Sequence, residues 1–199
     1  MSSSSISTAP ESSDVICDLK AHARVLHRRA TAGDPVALRR ARMLSELKKL
    51  SDDELMQQLK RRQCLSVVAR QLGFVSWEHA RAVLSSRILP SRILSSIEQQ
   101  DFGTLLYPGT CSGHYNIWSA SYAEAREIRA AHGGYLLAYK RQFLIVEDGY
   151  IDSMGLDPAD PDWERMGRDW VQPGDFGARE RLYRKLVHNA LVTLTLEGN

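Results

Sequence analysis

The sequence predicts an α+β protein: an N-terminal all-α four-helix module, then a small aromatic-rich α+β module with an antiparallel hairpin. Three observations carry this. Apolar residues recur at helical spacing through the first half, and branched or aromatic runs flank Lys140-Arg141-Gln142 in the second. Charge is divided, with 16 Lys/Arg and 10 Asp/Glu in residues 1–100 against 10 and 14 in residues 101–199, inside a net +2. Aromatics are divided further: Phe74 and Trp77 alone precede residue 101, and the other 13 of 15 follow it. One evenly mixed core does not predict such a split. Two modules of different material are expected, with a tail over 1–13, a basic helical module over 14–86, a linker over 87–100 and an acidic, aromatic-rich module over 101–199.

The Ser-rich start has too little apolar surface to fold and is expected to be disordered. Val15, Leu19, Ala23 and Leu26 then follow helical spacing until Thr31-Ala32-Gly33 breaks it. Asp34 before Pro35 is a side-chain cap followed by proline at the first helical position. It opens a helix predicted over 34–50 with Leu38, Ala41, Leu44 and Leu47 on one stripe. Ser51 with Glu54 three residues on is a capping box, opening a helix expected to run to Gly73. Ser76 begins the fourth helix, with Trp77, Ala80, Val83 and Leu84. Ser86–Leu89 and Ser91–Leu94 are the same tetrapeptide on either side of Pro90, which marks a linker.

In the second half, Tyr115–Ser119 reads as a strand and Ser121–His132 as a helix stopped by Gly133-Gly134. Tyr135–Lys140 and Gln142–Val146 form the hairpin. Helical turns begin at Asp157-Pro158 and Asp160-Pro161, and a helix near 177–190 carries Leu182, Leu186 and Ala190. Residues 191–196 alternate apolar residues with Thr193 and Thr195, which predicts a half-buried strand.

Composition excludes collagen-like and wholly disordered classes. No apolar run approaches the ~18 residues of a membrane helix, and the N-terminus lacks the apolar core of a secretory signal. Cys17, Cys64 and Cys111 are an odd, widely spaced set, which argues against a disulfide framework and predicts a cytoplasmic protein. Cys111 and His114 have no second pair to complete a metal site, so neither a metal nor a cofactor is expected.

Several groups of residues bear on chemistry. Cys111, in a loop with Gly109 and Gly113, is expected to be a semi-buried thiol in a turn; the alternative is a nucleophile with His114 as base, although no orienting acid lies nearby. Seven acids accumulate between Glu147 and Glu164 without the spacing of a calcium loop, and helix capping accounts for Asp157 and Asp160. Most aromatics of the second half are expected in the core, but their number exceeds what a module of that size is expected to bury completely, so some rings are expected at a partner surface or a self-association surface.

Ala69, Gly73, Phe74 and Ser76 resemble the helix–turn–helix of AraC-type DNA-binding domains, with Glu78, His79, Arg81 and Arg87 on the second helix. Ala80 stands where that family has an aromatic, and Trp77 is bulky at the helix start. Ala32–Leu38 and Cys64–Trp77, within Leu19–Leu84, look like a small helical module at the N-terminus of many uncharacterised bacterial proteins. The likeness spans about a third of the chain and implies an interaction module without catalytic residues. Phe74 and Trp77 either plug its core or form a binding anchor.

The whole chain resembles the small anti-activators of pseudomonad quorum sensing in length and in lacking catalytic parts. That resemblance implies a non-enzymatic regulator that binds LuxR-type receptors and lowers their activity or stability. The expected partner-binding residues are Phe74, Trp77, Arg39, Arg40, Arg42, Lys60, Arg61, Arg62 and Arg81. A helix–turn–helix regulator of DNA and a small enzyme using Cys111 are the alternatives. A homo-oligomer is compatible with each, and no membrane partner is expected.

Overall fold

A computed structural model describes residues 15–85 and 97–196, with side chains described through residue 193. The repeated tetrapeptide, Arg87 and the N-terminal Ser-rich run lie outside the described residues. The fold is α+β, as expected. Its helices and strands are α1 (Val15–Thr31), α2 (Pro35–Ala41), α3 (Asp52–Gln58), α4 (Arg61–Gln71), α5 (Trp77–Leu84), β1 (Ile117–Ser119), α6 (Tyr122–His132), β2 (Tyr135–Tyr139), β3 (Gln142–Val146), α7 (Asp148–Ser153), α8 (Pro161–Arg165) and α9 (Phe176–Leu196). Short 3-10 turns lie at Ser45–Leu47 and Gly109–Cys111.

Local chemistry fixes most helix starts. The Asp34 carboxylate accepts the Val36 and Ala37 N–H groups. Ser51 and Glu54 form the full capping box, and the Ser76 hydroxyl accepts the His79 N–H. Gly33, Gly73 and Gly133 close their helices with positive φ.

Three expectations fail. The helix expected over 34–50 ends at Ala41, because the Arg42 guanidinium turns back to the Leu50 carbonyl and pairs with Asp52, closing 42–52 into a loop. Leu44 and Leu47 are buried all the same, and the 3-10 turn re-aims the second of them. The helix expected from Ser51 to Gly73 breaks at Leu59, whose backbone is extended and whose carbonyl is taken by His27 Nε2 of α1 at 3.0 Å. The Gln63 side chain then accepts the Lys60 N–H and restarts the helix as α4. The first half therefore holds five α-helices among its described residues rather than four. Residues 191–196, expected as a strand, continue α9. Leu191 extends the buried stripe of Leu182, Leu186 and Val187, and the Thr193 hydroxyl donates to the Asn189 carbonyl four residues back, a helical bond.

The sheet is antiparallel in the order β1-β3-β2. Its pleat separates two apolar clusters. Leu136, Ala138, Phe143 and Ile145 lie under Tyr122 and Ala125 of α6. Tyr135, Leu137, Leu144 and Val146 face a larger cluster that also contains the buried stripes of α1 to α5 and α9. The composition of the two halves differs as expected, yet their buried side chains share this one cluster. Its C-terminal part is an aromatic column, with Tyr135 on Trp163 at 4.8 Å, Trp163 on Trp170 at 5.3 Å and Trp170 on Tyr183 at 4.8 Å between centroids.

Candidate functional site

The predicted basic surface divides under the structure. Arg39, Lys60, Arg61, Arg62 and Arg81 are exposed, and none is in an ion pair among the described residues. Lys60, Arg61 and Arg62 stand together at the start of α4. Arg40 lies at the opposite end of that helix, half-buried, donating to Gln71 Oε1 at 2.7 Å. Burial, then the nearby Arg29, lowers the pKa of Arg40 from its ordinary value. Arg42 is committed to closing the loop after α2.

Phe74 and Trp77 are corrected as partner anchors. They are 2% and 8% exposed and belong to the large core, where they supply the only large rings of the helical half. Phe74 packs edge-on against the His79 imidazole at 5.5 Å. Filling the core is the role their size serves best.

The helix–turn–helix lookalike is covered by the chain that follows the linker. The Gly73 carbonyl accepts both the Thr104 N–H and its hydroxyl. A Cβ on Gly103 would come within 2.8 Å of Phe74. His79 Nδ1 accepts the Val75 N–H, so Nε2 carries the proton and donates to the Asp101 carbonyl at 2.7 Å. Of the four groups offered to DNA by analogy, His79 is thus engaged within the fold, Glu78 and Arg81 are exposed, and Arg87 is outside the described residues.

Cys111 is fully buried in the large core. Its thiol faces the Tyr150 carbonyl at 3.7 Å, and burial pushes its pKa up, away from the thiolate. His114 does not serve it: the imidazole shares a 2.8 Å hydrogen bond with the Ser153 hydroxyl and packs on Tyr150. The loop is a turn with an enclosed thiol, the first of the two readings of this segment, and His114 is not placed as a base for Cys111.

The acidic stretch has an internal counterpart that sequence reasoning missed. Asp162 is buried and holds Arg181 of α9 through two bonds of 2.9 and 2.7 Å, with Arg165 at 2.9 Å. These pairings, Arg181 foremost, lower its pKa. Asp160 caps α8 and pairs with Lys185. The signal available was the row Arg181, Arg184, Lys185 on a helix otherwise read for its leucines. Among the described residues no group of three or more His, Cys, Asp or Glu is placed to hold a metal ion. None of the described helices is long and apolar enough to cross a membrane.

Two further surfaces emerge. A groove of about 650 Å³ runs between α1 and α9, with Ala21, Leu156, Val187 and Leu191 among its apolar walls and His22, Arg184 and His188 among its polar ones. At the sheet, Trp118 is 39% exposed and Tyr115 98% exposed. Trp118 packs with half-buried Tyr107 and Tyr139 at 5.4 and 5.9 Å, and Lys140 Nζ lies 5.2 Å over the Tyr139 ring.

Comparison with protein-family models, curated proteins and solved structures returned no match.

Proposed function

We propose that the protein is a non-enzymatic regulator that binds an acidic surface of another protein, acting as an anti-activator of LuxR-type quorum-sensing receptors in the manner of the quorum threshold expression element. The observation that carries this reading is the start of α4. Lys60, Arg61 and Arg62 are exposed, without ion pairs among the described residues, at the positive end of an 11-residue helix. Cations there oppose the helix dipole and repel one another. The contrast within the same module is direct, since α3 begins with Asp52, Asp53 and Glu54. Carboxylates from a partner would relieve the repulsion, and capture one-to-one would keep the receptor from its own dimer or its DNA.

A purified LuxR-type receptor is expected to be retained by the immobilised protein and lost when Lys60, Arg61 and Arg62 are all changed to Glu. Equal retention by that variant overturns the reading. The second reading is DNA binding, favoured by the same cations together with the Gly73 turn. It predicts a mobility shift of duplex DNA by the protein alone, weakening steeply with salt as counterion release requires. The covering of the turn by residues 101–104 and the engagement of His79 count against it.

A further inference from the structure

The sheet ends on β1, whose outer edge pairs with no strand among the described residues. In an antiparallel sheet, successive residues turn their backbone groups alternately to one neighbour and to the other. On β2, the Leu136 N–H donates to the Arg168 carbonyl and the Leu136 carbonyl accepts the Trp170 N–H, both at 2.9 Å. Lys140 likewise exchanges bonds with Gly103 and Phe102. Even-numbered residues of β2 therefore face away from β3, and Tyr135, Leu137 and Tyr139 bond their partners Val146, Leu144 and Gln142. This leaves Phe143 and Ile145 turned toward β1, where they meet Ser119 and Ile117. Trp118, between those two, directs its N–H and carbonyl outward. Neither group has a hydrogen-bond partner among the described residues.

We propose that a second copy of this chain covers this edge, with β1 pairing antiparallel to β1 of the partner copy about a two-fold axis at Trp118. The two Trp118 residues then exchange both backbone bonds, and Asn116 of each strand stands opposite Ala120 of the other. A continuous sheet in the order β2-β3-β1-β1-β3-β2 results. Two features favour this occupant over an unrelated strand. A two-fold axis sets Trp118 against itself, so a charge there would face a like charge, and residues 115–123 contain no Asp, Glu, Lys or Arg. Natural edges are usually guarded by charge or proline, and this one is not. The side chains are also self-compatible. Directly opposed rings form favourable cross-strand pairs, and here the Tyr107–Trp118–Tyr139 cluster of one copy would continue into that of the other.

Sedimentation equilibrium of the full chain tests this, with hydrogen exchange beside it. The wild-type protein is expected to sediment as a dimer, and the Trp118 amide to exchange more slowly as protein concentration rises. Trp118→Lys is expected to abolish the dimer. Ala120→Pro, at an exposed position that removes only an outward N–H, is expected to do the same with an unchanged circular dichroism spectrum. If Trp118→Lys fails to fold, Ala120→Pro decides. A wild-type monomer, or a dimer that persists in a folded Ala120→Pro variant with the Trp118 amide unprotected, overturns the proposal. Protection of that amide only when a receptor is added also overturns it, in favour of a heterologous strand.

Discussion

The Tyr122 phenol donates a 2.6 Å hydrogen bond to Asp169 Oδ2 across 47 residues of sequence, with both groups buried. The other carboxylate oxygen accepts the Val171 and Gln172 N–H groups at 2.9 Å. One side chain thus fastens α6 to the turn that follows α8. Tyr122→Phe removes one of three donors to a buried carboxylate and should cost about 1.5–3 kcal/mol in urea unfolding. Burial, and then the Asp169 carboxylate, pushes the Tyr122 pKa up. Burial, with a bond to Asp148, pushes Tyr135 up to about 12. Raised phenols contribute stability in full below the ordinary tyrosine pKa of about 10, and that contribution is lost as pH rises beyond it. Wild-type stability is therefore expected to fall above pH ~10, less steeply in Tyr122→Phe. Equal slopes in the two proteins would show that Tyr122 is not a source of the alkaline loss.

Gly73 should tolerate no side chain. Its φ is +82°, and a Cβ would stand 2.0 Å from Thr104 Oγ1 and 3.2 Å from Thr104 Cβ. Gly73→Ala is expected to lower stability by more than about 1 kcal/mol through strain alone. Adding Thr104→Ala should recover the collision but not the strain. Thermal unfolding of the two variants separates these contributions, and full recovery in the double variant would discount the backbone.

Replacing Lys60, Arg61 and Arg62 by Glu should raise stability while it abolishes partner binding. Each change turns an unfavourable helix-dipole interaction into a favourable one, about 0.3–1 kcal/mol at low ionic strength. The gain should shrink as salt is added. A variant that loses both stability and binding would mean that these cations support the fold.

His22 lines the groove between α1 and α9, and its pKa is lowered by burial, by Arg40 and by His188, against the opposing pull of Asp18. A depressed imidazole contributes stability above its ordinary value of 6.5, and that contribution is lost as pH falls below it. His22 is only partly shielded from solvent, so the effect is small. His22→Gln is expected to flatten the decline in melting temperature just below pH ~6.5 while leaving the alkaline limb unchanged. An identical acid limb in both proteins would remove His22 from that account.

Features encoded by neighbouring residues were readable in the sequence. Asp34-Pro35, Ser51 with Glu54, Ser76 and the glycine stops each act within a few residues, and each stands where expected. The hairpin was legible because its branched and aromatic runs flank a two-residue turn. What failed was decided at a distance. Leu59 leaves the helix because His27, 32 residues earlier, takes its carbonyl. Asp162 is buried because Arg181 reaches it across 19 residues. The alternation in 191–196 is real, but a strand there needs an edge to join, whereas Leu191 needs only the next turn of α9 to reach the core. For the candidate site, exposure of Lys60–Arg62 followed from their charge, but their place at a helix start did not, because one helix was expected from Ser51 to Gly73. Burial of Phe74 and Trp77 was one of two readings, and the chain returning over Gly73 chose between them.

The packing of α9 on α1 has a consequence for synthesis. Asp18 of the first described helix stands 3.6 Å from Arg184 of the last, and the buried stripes of both belong to one cluster. Helices α1 to α5 emerge from the ribosome with part of their apolar surface still lacking its cover, which arrives only with Leu182 to Leu191. The core of the basic helical half is therefore completed only once α9 has been made, and that half, released alone, would be a substrate for chaperones.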